Sequence, residues 1–339
     1  MRYKLITSIS LCFIFLIGCR PVEKVGPDIC PSDDFSLTSD KLEIYVISSS
    51  TSTLEDAGNK LDLDASEGLN IKSDFGEVVD WKITISNSTQ SKVFSGKGSS
   101  LDVYWYGQPG KFDGEKMNFD PGNVTVELSV VCLEPVSKTF ELSGKQNFSS
   151  LHPKFGVLLR DWDKNGIYPV SSGTYTGADG WKGGGGGVDT FSVEYFDEYY
   201  SPAGNKYVQI YADFENPQWY LGAHSIDLLS FKNYLPTENT DSLYLNIFSS
   251  SDGGNNTGSQ VAFQVGGTSY LGLEQINWTG WKFLSYQFSG LTTNSGDSLK
   301  TTDISAFVLQ LGAAPEKSKE LTVRYDFILV TYGEPLFTE

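Results

Sequence analysis

Histidine is scarce in this chain of 339 residues, which contains only His152 and His224. Zinc sites draw on clusters of histidine and cysteine, and serine hydrolases need a histidine base beside the nucleophile. The two histidines are far apart in the sequence, and the G-x-S-x-G motif of many hydrolases is absent. These absences argue against zinc chemistry and against Ser-His-Asp catalysis.

Basic residues are also few, with 25 lysines and arginines against 42 acidic residues and a formal net charge of −17. Nucleic-acid binding depends on basic patches that neutralise phosphates, and no such patch is visible in the sequence. A strongly anionic polysaccharide would be repelled in the same way unless calcium bridged the two. The charge therefore favours a neutral partner.

Long hydrophobic runs are missing except at the amino terminus, where an apolar stretch from Leu5 to Ile17 follows two basic residues. This pattern is typical of a secretory signal. The closing Leu-Ile-Gly-Cys resembles the lipobox of bacterial lipoproteins, which implies a signal peptide over 1–18 and acylation, palmitate included, at Cys19. The alternative is an ordinary signal with an incidental cysteine. By the same resemblance, Arg20 implies sorting to the outer membrane, where we expect exposure at the cell surface.

Only two cysteines remain for the mature protein, because Cys12 leaves with the signal and Cys19 carries lipid. Cys30 and Cys132 can pair in an oxidising compartment. The sequence does not show whether their side chains meet.

No segment has a long helical stripe, whereas short alternating runs bounded by Gly, Asn, Ser or Pro recur throughout. In NVTVELSVVC, four apolar residues fall on one face: Val124, Val126, Leu128 and Val130. After a tether over 19–40, these runs predict an immunoglobulin-like β-sandwich over 41–142. The pieces LDLDAS, DWKI and FDPGNVTVELSV resemble PKD-type domains of secreted bacterial proteins, which implies a spacer.

A linker over 143–154 leads to a second predicted all-β domain over 155–339. The ordered pieces WYLGAHSIDL, TDSLYLNIFSS, GSQVAFQVGG, NWTGWKFLSYQFSGL and RYDFILVTYG resemble galactose-binding-like jelly-roll domains. Many carbohydrate-binding modules have that fold. The whole arrangement resembles glycan-binding surface lipoproteins of polysaccharide-utilising bacteria. It predicts an N-terminal Ig-like sandwich followed by a C-terminal jelly-roll sandwich.

Aromatic side chains are the expected contacts for a neutral sugar, because a pyranose has an apolar face that stacks on a flat ring. Loop positions are the best candidates, and the predicted glycan-binding residues are Trp162, Tyr175, Trp181 and Trp219. Five glycines, Gly183 to Gly187, follow Trp181. They serve either as a connector or as a rim without side chains that lets a glycan approach. By the jelly-roll resemblance, Trp281 is expected in the core.

A structural calcium site is a further candidate. Asp161, Asp163 and Asn165, with Gly166, match the first half of a calcium-binding loop, in which oxygen ligands alternate. The acidic residue expected at the twelfth position is missing, and a polar hairpin turn explains the same residues. No other cofactor is indicated.

Catalysis has little support, although Glu194 lies close in sequence to Asp197 and Glu198. Glycosidases use two carboxylates, but an acidic chain supplies many such pairs by chance. The sequence therefore predicts a non-catalytic, lipid-anchored surface protein that binds a neutral polysaccharide or oligosaccharide. The alternatives are a glycoside hydrolase or polysaccharide lyase on a jelly-roll fold, and an adhesive lipoprotein without a sugar site.

Overall fold

The computed structural model describes most of the chain from Cys30 onward. Its secondary structure is β-strand interrupted by three short 3-10 turns, Ser39–Lys41, Thr240–Ser242 and Phe288–Gly290. No helix within it is long and apolar enough to cross a membrane. The predicted all-β fold is confirmed. The described residues are 30–48, 51–66, 68–112, 117–146, 156–162, 181–183, 188–197, 206–214, 222–227, 240–253, 260–265, 269–293, 296, 306–312 and 320–337.

The N-terminal region forms sheet I, which has seven strands in the order β2-β1-β4-β6-β7-β3, with β5 paired to β4. All neighbours are antiparallel except β3 and β7, which run parallel. Its strands are β1 (Glu43–Ile47), β2 (Ser52–Thr53), β3 (Lys60–Asp62), β4 (Gly68–Ser86), β5 (Ser91–Trp105), β6 (Gly122–Val130) and β7 (Val136–Ser143).

The alternation predicted for β6 is confirmed, because all four apolar residues of that face are buried in the core of sheet I. The hairpin of β4 and β5 is longer than the sequence indicated. Its register shifts between Asp74 and Val79, and Gly76 there has a φ of 74°. A bulge with a left-handed glycine lets one strand bend and continue where the sequence reads as a turn.

Cys30 and Cys132 form a disulfide, with Cα atoms 5.6 Å apart and 102 positions apart in sequence. The bridge ties the start of the described chain to the turn between β6 and β7. A loop of this length is expected to stabilise the fold by about 4–5 kcal/mol in the chain-entropy account.

The C-terminal region is a sandwich of two six-stranded sheets. Sheet II has the order β10-β11-β19-β13-β16, with β8 also paired to β19, and sheet III has the order β17-β15-β14-β18-β12-β9. The strands are β8 (Gly156–Asp161), β9 (Trp181–Gly183), β10 (Val188–Asp197), β11 (Lys206–Phe214), β12 (Gly222–Asp227), β13 (Leu243–Asp252), β14 (Gln260–Val265), β15 (Ser269–Gln275), β16 (Thr279–Gln287), β17 (Thr292–Thr293), β18 (Ala306–Gly312) and β19 (Glu320–Tyr332).

The last strand departs from its predicted pattern. Strict alternation placed Leu321, Val323, Tyr325, Phe327 and Leu329 on one face. The first three do lie in the sandwich core, but Phe327 and Leu329 pack in a different cluster on the opposite side of sheet II. The register of β19 shifts against both of its neighbours in this stretch. A bulge adds one residue, so every later side chain changes face.

A third cluster, here called the junction cluster, lies between sheet I and the outer side of sheet II. The N-terminal region contributes Tyr106 and Met117, and Phe112 packs against them from a loop. The C-terminal region contributes the larger share, namely Leu158, Phe248, Phe327, Leu329, Leu336 and Phe337, with Trp281 and Phe283 packed against them. The two regions are therefore joined by a continuous apolar contact.

Candidate functional site

The structure places the predicted sugar-binding aromatics in different settings. Trp162 is 4% exposed and belongs to the sandwich core, where its ring lies 6.4 Å from that of Tyr195. Burial removes the open ring face that a sugar needs, so Trp162 is reassigned to the core. Trp181 begins β9 and pairs with His224 of β12. Tyr175 and Trp219 lie outside the described residues, as do Gly184 to Gly187.

The outer side of sheet II offers a surface that the sequence analysis did not single out. Strand pairing sets Gln209 opposite Arg324, Arg324 opposite Ser250, and Ser250 opposite Trp281. Directly paired residues share one face of a sheet. Four strands therefore contribute to one row, here called the polar row, which ends at Trp281. Glu194 of β10 extends it on the far side of Gln209.

What we call the aromatic strip consists of Trp281, which ends this row, and two rings beside the row, Phe196 and Tyr207. Phe196 and Tyr207 are paired residues whose rings stack with centroids 5.4 Å apart. The rings of Tyr207 and Trp281 meet edge to face at 5.7 Å. Tyr207 is 6% exposed, whereas Phe196 and Trp281 are half-buried. The strip thus has a covered centre and two partly open ends.

The spacing of the strands shows that these rings converge. Tyr207 on β11 and Trp281 on β16 are separated by β19 and β13, which is three interstrand steps or roughly 14 Å. Their ring centroids are nevertheless only 5.7 Å apart. The two side chains therefore lean toward each other across the sheet, and Ser250 beneath them is 4% exposed. This arrangement joins distant strands into one aromatic surface.

Hydrogen-bonding groups border the strip. Arg324 donates to both carboxylate oxygens of Asp252, at 2.5 and 3.2 Å. Burial lowers the pKa of Arg324, but the hydrogen bond and charge of Asp252, with a smaller contribution from Tyr207, outweigh burial and raise it. The guanidinium is therefore a fixed donor, and its rigid fork is held in one orientation. Asp252 and Gln209 supply acceptor and amide groups at the same face.

Carboxylates lie on the same face of sheet II as the strip, beyond Gln209. The pKa of Tyr211, two positions from Gln209 on the same face, is raised by partial desolvation and by the negative charges of Glu320 and Asp213. Glu194 is exposed at the edge of the row. Negative charge therefore gathers at the Tyr211 end of this face.

Trp281 is a correction to the sequence analysis, which expected it in the core. It lies on the outer side of sheet II, while Leu284 and Tyr286 of the same strand pack into the sandwich core. The alternation in WKFLSYQF carries this information, since Trp281, Phe283 and Ser285 share one face. The alternation alone does not show which face of β16 is inside, because both faces carry apolar residues.

The predicted calcium loop is only partly described. Asp161 ends β8, while Asp163 and Asn165 lie outside the described residues, so the calcium site stays a prediction. Within the part of the chain that the structure describes, no three or more His, Cys, Asp or Glu residues are grouped to hold a metal. The acylation predicted for Cys19 also falls outside the described residues.

Searches against known proteins find structural likenesses only. No family model matches the chain, and no curated protein matches it. One similar structure belongs to a study of the promiscuous specificity of carbohydrate-binding modules from the β-sandwich superfamily. It is 9% identical, covers 77% of this chain and 91% of its own, and has a TM-score of 0.35.

Two further likenesses are of the same kind. SGBP-B from a complex xyloglucan utilization locus in Bacteroides uniformis is 13% identical and covers 78% of this chain and 68% of its own, with a TM-score of 0.38. The family 11 carbohydrate-binding module from Clostridium thermocellum, in complex with a mixed-linked tetrasaccharide, is 14% identical, with 53% and 96% coverage and a TM-score of 0.33. These neighbours are carbohydrate-binding modules and glycan-binding proteins with β-sandwich folds. At TM-scores below 0.5 these likenesses do not locate a binding site on this chain.

Proposed function

We propose that this chain is a non-catalytic, lipid-anchored surface protein that binds a neutral glycan on the outer side of sheet II. The observation that carries the proposal is the aromatic strip beside the polar row. The partly open rings of Phe196 and Trp281 stack on the apolar faces of sugar rings, and Arg324, Asp252 and Gln209 hydrogen-bond to hydroxyl groups. Aromatic contacts provide affinity, and the polar groups fix orientation.

Electrostatics supports the choice of a neutral glycan. The chain carries a formal net charge of −17, and Glu194, Asp213 and Glu320 lie on the same face of sheet II as the strip. The fixed cation at this face, Arg324, is already held by Asp252. To bind Arg324, an anionic glycan would have to displace Asp252 and would be repelled by the other carboxylates. A neutral glycan requires neither step.

Anchoring is proposed from the amino-terminal sequence. Leu16, Ile17, Gly18 and Cys19 resemble a lipobox, and ten residues, 20–29, separate Cys19 from Cys30, which the disulfide ties to sheet I. A tether of this length would hold sheet I and the sandwich clear of the bilayer. We place the mature protein on the outer membrane, facing the medium.

Affinity electrophoresis of the mature chain across neutral and acidic polysaccharides tests the proposal. Trp281→Ala removes one end of the strip, and Trp81→Ala is the matched control, since Trp81 is a half-buried tryptophan of sheet I. We expect a neutral polysaccharide to retard the wild type and Trp81→Ala but to lose at least tenfold in affinity with Trp281→Ala. Reducing ends are assayed in the same samples.

Each other outcome has a defined meaning. New reducing ends would make the protein an enzyme and contradict the non-catalytic reading. Retardation that survives Trp281→Ala would place the glycan elsewhere on the molecule. No retardation by any polymer would favour an adhesive role without a sugar site.

A further inference from the structure

The junction cluster is built largely of aromatic rings that cross from one region to the other. Phe112 lies in a loop of the N-terminal region, yet its ring centroid is 4.7 Å from that of Phe248 and 5.7 Å from that of Phe337. Both partners belong to the C-terminal region. Phe112 thus packs against both rings and touches the outer side of sheet II directly.

The same rings continue toward the aromatic strip. Phe248 packs on Phe283 at 5.3 Å, and Phe283 packs on Phe337 at 4.9 Å. Phe283 and Trp281 are two positions apart on β16 and share a face, and Trp281 packs against the junction cluster. Trp281 therefore packs against the junction cluster and also meets Tyr207 edge to face.

A polar contact crosses the same boundary. Lys92 of β5 is 2% exposed and its Nζ lies 3.0 Å from a carboxylate oxygen of Glu334, beyond the end of β19. Its ammonium also lies 5.1 Å from the ring centre of Phe94. A buried ammonium with one fixed carboxylate partner permits little sliding between the regions, because separation would strand the charge.

We propose that the N-terminal region is an integral part of the binding site, in which Phe112 positions Trp281 through Phe248 and Phe283. The expected effect on glycan affinity rests on the proposed function, whereas the positioning of Trp281 rests on the ring contacts alone. It differs from the spacer role that the sequence resemblance implied. Phe112 is a positioning residue here, since it acts on the aromatic strip through the rings of the junction cluster.

The test uses the full mature chain labelled with 5-fluorotryptophan. Fluorine NMR reports each indole separately, and the resonance of Trp281 is identified by its loss in Trp281→Phe. Phe112→Ala removes the ring that packs against Phe248 and Phe337. Phe35→Ala is the matched control, because Phe35 is also a half-buried phenylalanine of the N-terminal region but packs in the core of sheet I, against Phe75.

We expect Phe112→Ala to shift or broaden the Trp281 resonance and to lower glycan affinity about fivefold or more. Phe35→Ala should do neither. In the double variant Phe112→Ala with Trp281→Ala, affinity should be no lower than in Trp281→Ala alone, because Phe112 acts only through the ring of Trp281. Fully additive losses would show that Phe112 does not act through Trp281.

The two proposals fail in different ways. If the wild type binds no glycan but Phe112→Ala still moves the Trp281 resonance, the proposed function is wrong and the positioning contact is upheld. If glycan binds at Trp281 while Phe112→Ala leaves both the resonance and the affinity unchanged, the N-terminal region is only a spacer and this inference is overturned.

Discussion

The ion pair between Lys92 and Glu334 predicts an asymmetric response to mutation. Lys92 is 2% exposed, whereas the side chain of Glu334 is 43% exposed. Replacing Glu334 by glutamine leaves an ammonium in a desolvated position without its counter-charge. Replacing Lys92 by methionine removes the buried charge, keeps a stem of similar length, and leaves a carboxylate that water can hydrate.

The magnitude follows from the exposure of the two partners. Removing one partner of a fully buried pair typically costs about 3–5 kcal/mol. Because Glu334 is partly hydrated, its loss removes less attraction, and we expect Glu334→Gln to reduce the free energy of unfolding by about 2 kcal/mol. For Lys92→Met, we expect a change of less than about 1 kcal/mol, since methionine leaves no buried charge and fills much of the space of the lysine stem.

Differential scanning calorimetry of the two single variants and the double variant measures this difference. A loss of about 2 kcal/mol corresponds to a Tm lower by about 4–8 °C for a unit of 150–250 residues. The double variant should recover most of the loss seen in Glu334→Gln. If Lys92→Met destabilises as much as Glu334→Gln, or the double variant is worse than either, the stranded-charge reasoning is refuted.

Three further predictions concern other parts of the molecule. Cys30→Ser opens the bridge to Cys132 and should lower the free energy of unfolding in urea by about 4–5 kcal/mol. Reductant should destabilise the wild type by the same amount and should leave the stability of the variant unchanged. Gly156→Ala places a methyl group against the carbonyl of Val330 and should lower the free energy of unfolding by about 1–3 kcal/mol in the same assay. An unchanged urea midpoint would mean that β8 shifts to make room for the methyl group. If the predicted loop at Asp161 binds calcium, chelator should lower the Tm of the wild type and leave Asp161→Asn unchanged, whereas equal shifts in both would place any calcium elsewhere.

Much of the fold could be predicted from period-two patterns because one side of most strands is buried. Val124 to Val130 on β6 show this directly, since each inward position is apolar and each outward one is polar or small. The end of β19 could not be predicted in this way. Its residues from Phe327 to Val330 are apolar on both sides, because one side faces the sandwich core and the other faces the junction cluster.

The candidate site was less predictable because it depends on pairing between distant strands. Tyr207 and Trp281 are separated by more than seventy positions, and no local pattern brings them together. Trp162 shows the opposite difficulty, since a polar Asp-Trp-Asp context suggested a loop while the ring packs inward. Composition indicated that aromatic residues matter, but only strand register decides which rings share a surface.

Hydroxyl-radical footprinting with and without the polysaccharide that retards the wild type is the most direct test of the binding face. We predict that glycan lowers the oxidation of Trp281 and Phe196 at least severalfold, while Trp81 and Tyr45, both on sheet I, are oxidised equally in both samples. Glycan-dependent protection that spares Trp281 and Phe196 and falls on another part of the chain would contradict the proposed site.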